Sequence, residues 1–395
     1  MPRIYLRVTI MNEFRNQLVN ASKLKQSGKH DQALEIYEKQ YKEHPDEFKR
    51  QQKVDYAWTI IKVKMLDSED EFYDAARQIT ELLPQADLNV KRSCPYTSAV
   101  FKVLIKLKDD NDYISMIPWL EKLNPELLDE EPYRSHGRLQ KPRREKWYDW
   151  AGRAYLDDMQ FEKCIEVSKE ALKTLKSFKD DGDTWHKRRI AKSYKELQKP
   201  KEALAYYREV INVKHDWYIY RDIAEIYHSC GMNNEALDYL CPAILSNEPD
   251  SRKASIYLLA YRVLNAIKYG NAQLHAQFYY LLQKQNGYAV PYDIEKLGFD
   301  EMELDKRQIQ RDIRRLWTQY KFKDRKLQHG TVIKFNTERN FGFIKTSDDE
   351  NIFFHKSDFL SDNVYIGQLV SFYTEENFDK SKNRKSTKAV NVRGD

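Results

Sequence analysis

The sequence predicts a multidomain protein of the α plus β class, in which a long array of paired helices precedes a small five-stranded β-barrel. A pattern of small and aromatic residues at helical spacing recurs along most of the 395 residues. From Gln328 onward the apolar period changes to two, over five short runs. A strongly basic segment at helical spacing joins the two parts. We therefore expect an N-terminal segment at 1–14, a helical array at 15–302, a basic connector helix at 303–327 and a barrel at 328–395.

The composition indicates a folded protein of two or three domains, since 41% of the residues are apolar and 13% are aromatic. The four cysteines form no CxxC pair, so neither a disulfide framework nor a zinc site is indicated. No run reaches the roughly 18 to 20 apolar residues that span a bilayer. The N-terminus also lacks a small-residue cleavage site. We expect a reduced cytoplasmic protein with no membrane association, metal or cofactor.

The N-terminal segment leaves two alternatives open. Ile4, Leu6, Val8 and Ile10 alternate with polar residues, which fits a short strand. Met11 follows directly, so the stretch could equally reflect an imperfectly assigned start of the sequence.

Small residues and tyrosines stand at fixed offsets in several segments of the array. Residues 21–45 read ASKLKQSGKHDQALEIYEKQYKEHP, and related patterns recur at 148–171, 191–210 and 220–243. We interpret each as a pair of antiparallel helices, with small residues where the two helices approach closely and aromatics where neighbouring pairs interlock. The pattern resembles the tetratricopeptide repeat family over roughly residues 15–285, and only weakly between 50 and 140. The resemblance implies a groove that recruits a protein partner.

One charged segment interrupts this pattern. Residues 129–147 read DEEPYRSHGRLQKPRREKW, and their two prolines and glycine make a helix unlikely. Such a charge run is either a solvated loop between helices or a phosphate contact.

The connector is predicted to be an amphipathic helix with Asp305 as its N-cap, because Ile309, Ile313, Leu316 and Tyr320 recur at helical spacing. Residues 306–326 contain nine Lys/Arg against two Asp, a net charge of +7, while the whole chain carries +6. The connector is therefore either a solvated linker or a helix that follows a polyanion. Its candidate phosphate contacts share one flank: Arg307, Arg311, Arg314 and Arg315.

The last 68 residues contain five strand-like runs: GTVIKFN, FGFIK, NIFFH, LVSFYTEE and TKAVNV. Five short strands of this kind suggest a small barrel of the oligonucleotide-binding type. We expect the interior to hold Ile344, Ile352 and Phe354, together with Val332 or Ile333. The two-residue period then leaves aromatic rings on the outside, where they need a partner.

These motifs, in this order, resemble the cold-shock domain family over about residues 328–393. The resemblance implies a barrel that binds single-stranded RNA or DNA without catalysis. Two family aromatics are replaced here by lysine and the motif glycine by Asn340, so we expect weaker and more salt-dependent binding than a full aromatic set would give. The implied stacking positions are Phe335, Phe341, Phe343, Phe353 and His355, the polar positions are Asn336 and Arg339, and the lysine replacements are Lys334 and Lys356.

The sequence thus predicts a non-catalytic adaptor, whose barrel binds single-stranded nucleic acid, RNA being favoured, and whose helical array recruits a protein. One alternative is a protein scaffold whose barrel docks on protein. A less favoured alternative is a ribonuclease of the HEPN type within the helices, because Arg208 with His215 and Arg221 with His228 fit its loose spacing.

Overall fold

The structure is a computed structural model that describes residues 2–66, 69–91, 93–135, 137–360, 363–379 and 384–394. Contacts between Cα atoms divide the chain into two compact units, Met1–His215 and Asp216–Asp395. In the described residues, no helix is both long enough and apolar enough to cross a membrane. The predicted order of a helical array followed by a five-stranded barrel is confirmed.

The first unit is helical apart from one short hairpin. Its first helix covers residues 4–10, so the alternation there does not form a strand; later in the same helix Phe14, Leu18 and Ala21 are buried at helical spacing. The elements are α1 (Pro2–Gln26), α2 (His30–Glu43), α3 (Arg50–Val63), α4 (Glu69–Leu82), α5 (Pro95–Asp109), α6 (Ile117–Leu120), β1 (Tyr133–Ser135), β2 (Arg138–Gln140), α7 (Arg143–Asp157), α8 (Phe161–Thr174), α9 (Gly182–Glu196) and α10 (Pro200–Ile211).

Small residues allow the paired helices of this unit to approach closely. Gly152 on α7 faces α8, where an added Cβ would lie 3.1 Å from the Ser168 Oγ. At the same crossing the Cys164 thiol lies 3.2 Å from the Gly152 carbonyl oxygen. Ala33 and Ala203 are also completely buried. The small positions of the repeat pattern are therefore packing positions, as the sequence indicates.

The charged segment 129–147 is tied down by internal ion pairs. Helix α7 begins at Arg143, directly after Pro142, although the segment's prolines and glycine predict no helix. Proline at the N-cap has no helical N–H to lose, so the helix starts behind it. The Arg143 guanidinium lies 2.8 Å from Asp129, and Arg144 lies 2.5 Å from Glu130. His136, in the same segment, lies outside the described residues.

The helical part of the second unit ends in the predicted connector helix. Its helices are α11 (Trp217–Ser229), α12 (Asn233–Leu245), α13 (Ala254–Ala266), α14 (Ala272–Gln285), α15 (Tyr292–Glu295) and α16 (Lys306–Lys321). The Asp305 carboxylate caps α16 by accepting from the Arg307 and Gln308 N–H groups at 2.9 and 3.0 Å. The buried stripe of α16 is Ile309, Ile313 and Trp317, which belong to the same hydrophobic core as α12 and α14.

Trp317 also makes a buried polar contact with α14. Its indole N–H donates to the His275 Nε2 at 2.8 Å, while the His275 Nδ1 lies 3.1 Å from the Asn271 carbonyl oxygen. Burial lowers the pKa of His275 to about 4, so the imidazole is neutral near pH 7. Helix α16 is therefore held on the helical core by packing and by this hydrogen bond, and it is not a bare linker.

The barrel is a closed sheet of five strands in the order β3-β4-β5-β7-β6. These are β3 (Gln328–Asn336), β4 (Phe341–Thr346), β5 (Asn351–His355), β6 (Leu369–Asp379) and β7 (Arg384–Gly394). The predicted interior residues Ile344, Ile352 and Phe354 are buried. Val332 takes the fourth position, whereas Ile333 is 39% exposed, because a bulge follows Val332.

The segment after α16 is fixed to strand β6. The rings of Phe322 and Tyr373 stack in parallel with centroids 4.4 Å apart. The Arg325 guanidinium donates to the Thr374 carbonyl oxygen at 2.8 Å. These contacts lie on β6, which neighbours β3 and β7 and pairs with neither β4 nor β5.

Candidate nucleic-acid interface

Three phenylalanine rings form one cluster on the outer face of strands β4 and β5. Phe343 lies opposite Phe353 in the antiparallel register, and Phe341 lies opposite His355. The ring centroids of Phe341, Phe343 and Phe353 are 5.8 to 6.2 Å apart. All three are half-buried, and we call them the aromatic cluster. Since Ile344, Ile352 and Phe354 fill the other face, the two-residue period places these rings outside the barrel core.

Gly342 allows β3 and β4 to pack closely beneath the aromatic cluster. A Cβ on Gly342 would lie 2.2 Å from the Lys334 carbonyl oxygen and 2.5 Å from the Phe354 ring. No other residue fits there without moving the backbone. The inner position under the cluster is thereby filled by the Phe354 ring.

Asn340, which stands where the cold-shock motif has glycine, adopts a left-handed backbone conformation with φ of 54°. Asparagine tolerates this region better than other residues with a Cβ. Its carbonyl oxygen accepts from the Lys356 N–H at 2.8 Å, which ties the start of β4 to the end of β5. Asn340 therefore permits the left-handed turn that leads into β4.

Polar and cationic residues surround the cluster on the β3 side. The exposed Lys334 lies opposite Phe343, and Asn336 lies opposite Phe341. The Asn336 side-chain oxygen accepts from the Arg339 N–H at 2.8 Å, so this amide shapes the turn that carries the exposed Arg339. A bulge places Ile333 and Lys334 against the single residue Phe343, and bulges commonly aim side chains at functional surfaces.

Phe335 is not brought to the aromatic cluster. In the register it lies opposite Gly342, on the inner side of the sheet. Its ring is nearly parallel to that of Phe354, at 6.0 Å and 9°. The sequence did contain the signal, because Phe335 alternates with Lys334 and Asn336 and so points the other way.

His355 and Lys356 form the exposed rim at the end of β5. The His355 Nδ1 lies 2.8 Å from the Ser357 Oγ, and its backbone N–H donates to the Asp358 carboxylate at 3.2 Å. The imidazole is therefore oriented by its own turn, next to Phe341. A planar ring held in this position can extend the surface offered by the cluster.

Lys388 is a residue at this face that the motifs did not indicate. Strands β5 and β7 pair in parallel, with Phe353 opposite Lys388. The Lys388 Nζ lies 3.3 Å from the Asp358 carboxylate. This pairing joins strands that are distant in the sequence and different in direction, so no local pattern could have located it.

The four candidate arginines of α16 are all exposed, but their surroundings differ. Arg315 lies 3.0 Å from Asp312, and Arg311 donates to the Gln308 side chain at 2.7 Å. Among the described residues, Arg307 and Arg314 have no ion-pair partner. Further along the connector, Lys321 and Arg325 lie 2.9 and 3.6 Å from Glu375, and Lys323 lies 3.9 Å from Asp238. Part of the connector's charge is thus used within the protein.

The arginine and histidine of the second ribonuclease-like spacing bind different partners. Arg221 donates to Asp222 at 2.6 Å and to the Ser255 hydroxyl at 3.2 Å. The His228 Nδ1 lies 2.6 Å from the Asn233 side-chain oxygen. In the first pair, Arg208 lies near the end of α10 and His215 in the loop that follows. Arg221 and His228 are therefore engaged in separate contacts.

The comparisons with known proteins identify two kinds of domain. Residues 328–394 match the 'Cold-shock' DNA-binding domain family, and residues 189–215 match the tetratricopeptide repeat family. Neither is a catalytic family. Among curated proteins, none matches this chain.

Several solved structures are similar to the chain at low scores. The apo form of RapI has a TM-score of 0.41 and 13% identity, covering 79% of this chain and 88% of that one. A tetratricopeptide repeat protein from Parabacteroides merdae has a TM-score of 0.30 and 14% identity, covering 78% and 99%. BtubC from P. vanneervenii has a TM-score of 0.34 and 15% identity, covering 70% and 94%. From the two family matches, the chain has a helical region with tetratricopeptide repeats, a family of protein-interaction repeats, followed by a C-terminal cold-shock domain, a family of nucleic-acid-binding domains.

Proposed function

We propose that this protein is a non-catalytic adaptor that holds single-stranded nucleic acid, RNA in preference to DNA, on its barrel and recruits a protein partner through its helical repeats. The observation that carries the proposal is the aromatic cluster on the outer face of β4 and β5. Its three rings lie within 6.2 Å of one another and stay half-exposed beside Lys334, Arg339 and Lys356. Aromatic faces with cations at their edge suit single-stranded nucleic acid, because the rings stack on unpaired bases and the cations attract the phosphates of the backbone.

The expected affinity is moderate. Each base that stacks on an aromatic side chain contributes about 1 to 3 kcal/mol. Phe335 is stacked on Phe354 instead, and lysine stands at 334 and 356, so the face offers few rings. Residues 328–395 contain ten basic and ten acidic residues, so the barrel itself has no net attraction for a polyanion. Binding should therefore depend on a few local cations and on salt concentration.

The exposed arginines of α16 are a second source of attraction. Arg307, Arg311 and Arg314 have no acidic partner among the described residues, whereas Arg315 is paired with Asp312. We propose that the first three contribute to phosphate binding more than Arg315 does. Because α16 is packed against the helical core, these arginines are held on a folded helix and not on a flexible linker.

The test is fluorescence anisotropy with labelled single-stranded RNA and DNA oligomers, titrated with the full chain at two salt concentrations. The variant is Phe341→Ala/Phe343→Ala, which removes two rings of the cluster and leaves the interior residues in place. The control is Tyr292→Ala, which removes an aromatic side chain that is 80% exposed on α15. We expect the double variant to lose at least tenfold in affinity, from two lost stacking contacts, and the control to bind as the unchanged protein does.

Saturable binding that is insensitive to the double variant would contradict the proposal. No binding of either oligomer at low salt would also contradict it, and would favour the alternative in which the cluster docks on a protein, since exposed apolar patches also mark protein interfaces. A comparison of the RNA and DNA titrations decides the preference between the two.

A further inference from the structure

One row of side chains crosses four adjacent strands of the barrel. Lys334 on β3 lies opposite Phe343 on β4, Phe343 lies opposite Phe353 on β5, and Phe353 lies opposite Lys388 on β7. Residues that face each other across strands point to the same side of the sheet. The row therefore places two aromatic rings between two lysines, whose backbones are about 14 Å apart at ordinary strand spacing.

Lys388 is held at its end of the row. Its Nζ lies 3.3 Å from the Asp358 carboxylate, and its side chain is 29% exposed. Asp358 is itself fixed, because it accepts from the His355 backbone N–H.

The local charge beyond Lys388 also favours an anion. The next residue across the sheet is Glu375 on β6, which lies opposite Lys388. A bare carboxylate there would repel a phosphate. Two cations neutralise it, since Lys321 and Arg325 lie 2.9 and 3.6 Å from its carboxylate. With Asp358 included, the end of the row has three cations and two carboxylates, so the connector makes this side of the barrel positive.

We infer that Lys388 is a phosphate-binding residue, which extends the nucleic-acid face from the aromatic cluster onto β7. Phe343 and Phe353 stack bases, and Lys334 and Lys388 hold the backbone on either side of them. This inference rests on the proposed function. It adds a residue from the last strand that lies outside the aromatic motifs.

The chain offers a matched control for Lys388. Lys385 stands three residues earlier on the same strand, where the two-residue period places it on the opposite face. Its side chain is 86% exposed and lies 4.0 Å from Glu376, so it carries the same charge and a similar loose ion pair. Any effect of net charge alone will be equal in Lys388→Ala and Lys385→Ala.

The experiment measures binding of a fluorescent eight-nucleotide oligo-uridine RNA, and of the corresponding oligo-thymidine DNA, to the full chain over a range of salt. We expect Lys388→Ala to weaken binding about three- to tenfold, as for one lost charged contact at a partly exposed site. The slope of log K against log salt should become shallower by about 0.7, the value for one phosphate contact to a single strand. Lys385→Ala should change neither quantity, and Lys388→Arg should keep both.

The outcomes separate this inference from the proposed function. If the unchanged protein does not bind, or binds without needing Phe341 and Phe343, the proposed function fails. If binding needs the cluster but Lys388→Ala and Lys385→Ala behave alike, only the role of Lys388 is overturned. Lys388→Gln removes the charge, keeps most of the length of the side chain, and gives the same decision if the alanine variant is unstable.

Discussion

Replacing Gly342 by alanine should strongly destabilise the barrel and leave the stability of the helical part of the protein unchanged. An added Cβ would lie 2.2 Å from the Lys334 carbonyl oxygen and 2.5 Å from the Phe354 ring, where ordinary contacts begin at 3.4 Å. The first contact is with backbone, so no rotamer change relieves it, and β3 would have to move by about 1 Å to restore the 3.4 Å contact.

The size of the effect follows from this geometry. Overpacking in a core costs about 1 to 3 kcal/mol, and a clash with backbone belongs at the upper end. For a domain of this size, about 3 kcal/mol corresponds to a melting temperature lowered by roughly 12 to 24 °C. It also removes a large part of the stability of a small domain, which is about 0.05 to 0.15 kcal/mol per residue.

Hydrogen exchange followed by mass spectrometry on the full chain is the suitable assay, because it reports the barrel and the helices separately. Peptides from β4 and β5 should exchange on the order of a hundredfold faster in Gly342→Ala, and peptides from α13 and α14 should not change. Gly270→Ala is the control, since its added Cβ meets nothing within 4 Å and its backbone is not left-handed. Unchanged protection of β4 and β5 in Gly342→Ala would refute the claim that glycine is required for the close approach of β3 and β4.

Three further predictions concern the helices of the second unit. Burial lowers the pKa of His275 to about 4 from 6.5, so the stabilisation by its neutral form is fully present above pH 6.5, and about 3 kcal/mol of it is lost as the pH falls towards 4. The free energy of unfolding in urea, measured at pH 7.5, 5.5 and 4.5, should therefore depend less on pH in His275→Gln than in the unchanged protein. An equal pH dependence in the two proteins would contradict this prediction. Lys253→Met should lower the free energy of unfolding by about 1 to 3 kcal/mol in the same assay, because the buried ammonium group donates at 2.8 Å to two carbonyl oxygens that would lose their partner. A change below about 0.5 kcal/mol would show that these hydrogen bonds do not stabilise the fold. Arg311→Ala/Arg314→Ala should make the salt slope of oligonucleotide binding shallower by about 1.4, and an unchanged slope would mean that these arginines are only a solvated face.

The interior and the outer face of the barrel could largely be predicted from alternation alone. Ile344, Ile352 and Phe354 are buried and Phe341, Phe343 and Phe353 are outside, because a strand with one buried face must alternate. The same rule places Phe335 inside, although the family resemblance assigns it to stacking. The choice between Val332 and Ile333 could not be made, since it depends on a bulge that only the pairing with β4 defines.

The connector shows a different limit. Its helical spacing and its N-cap Asp305 are local features, and both are present in the structure. Its surroundings are not local. The buried pair of Trp317 and His275 and the ion pairs of Lys321 and Arg325 with Glu375 join residues 42 to 54 positions apart. Whether such a basic helix is a free linker or a packed element depends on these contacts.

By itself, the sequence determined the order of the domains, the helix pairs and the two faces of the barrel strands, because periodicity and small-residue spacing are local properties of the chain. Only the tertiary structure decided which charges are already paired, where the bulge falls, and that Lys388 lies beside Phe353. The last of these depends on closing the barrel through the parallel pairing of β5 with β7. That pairing joins segments with no fixed spacing between them, so no pattern along the chain encodes it.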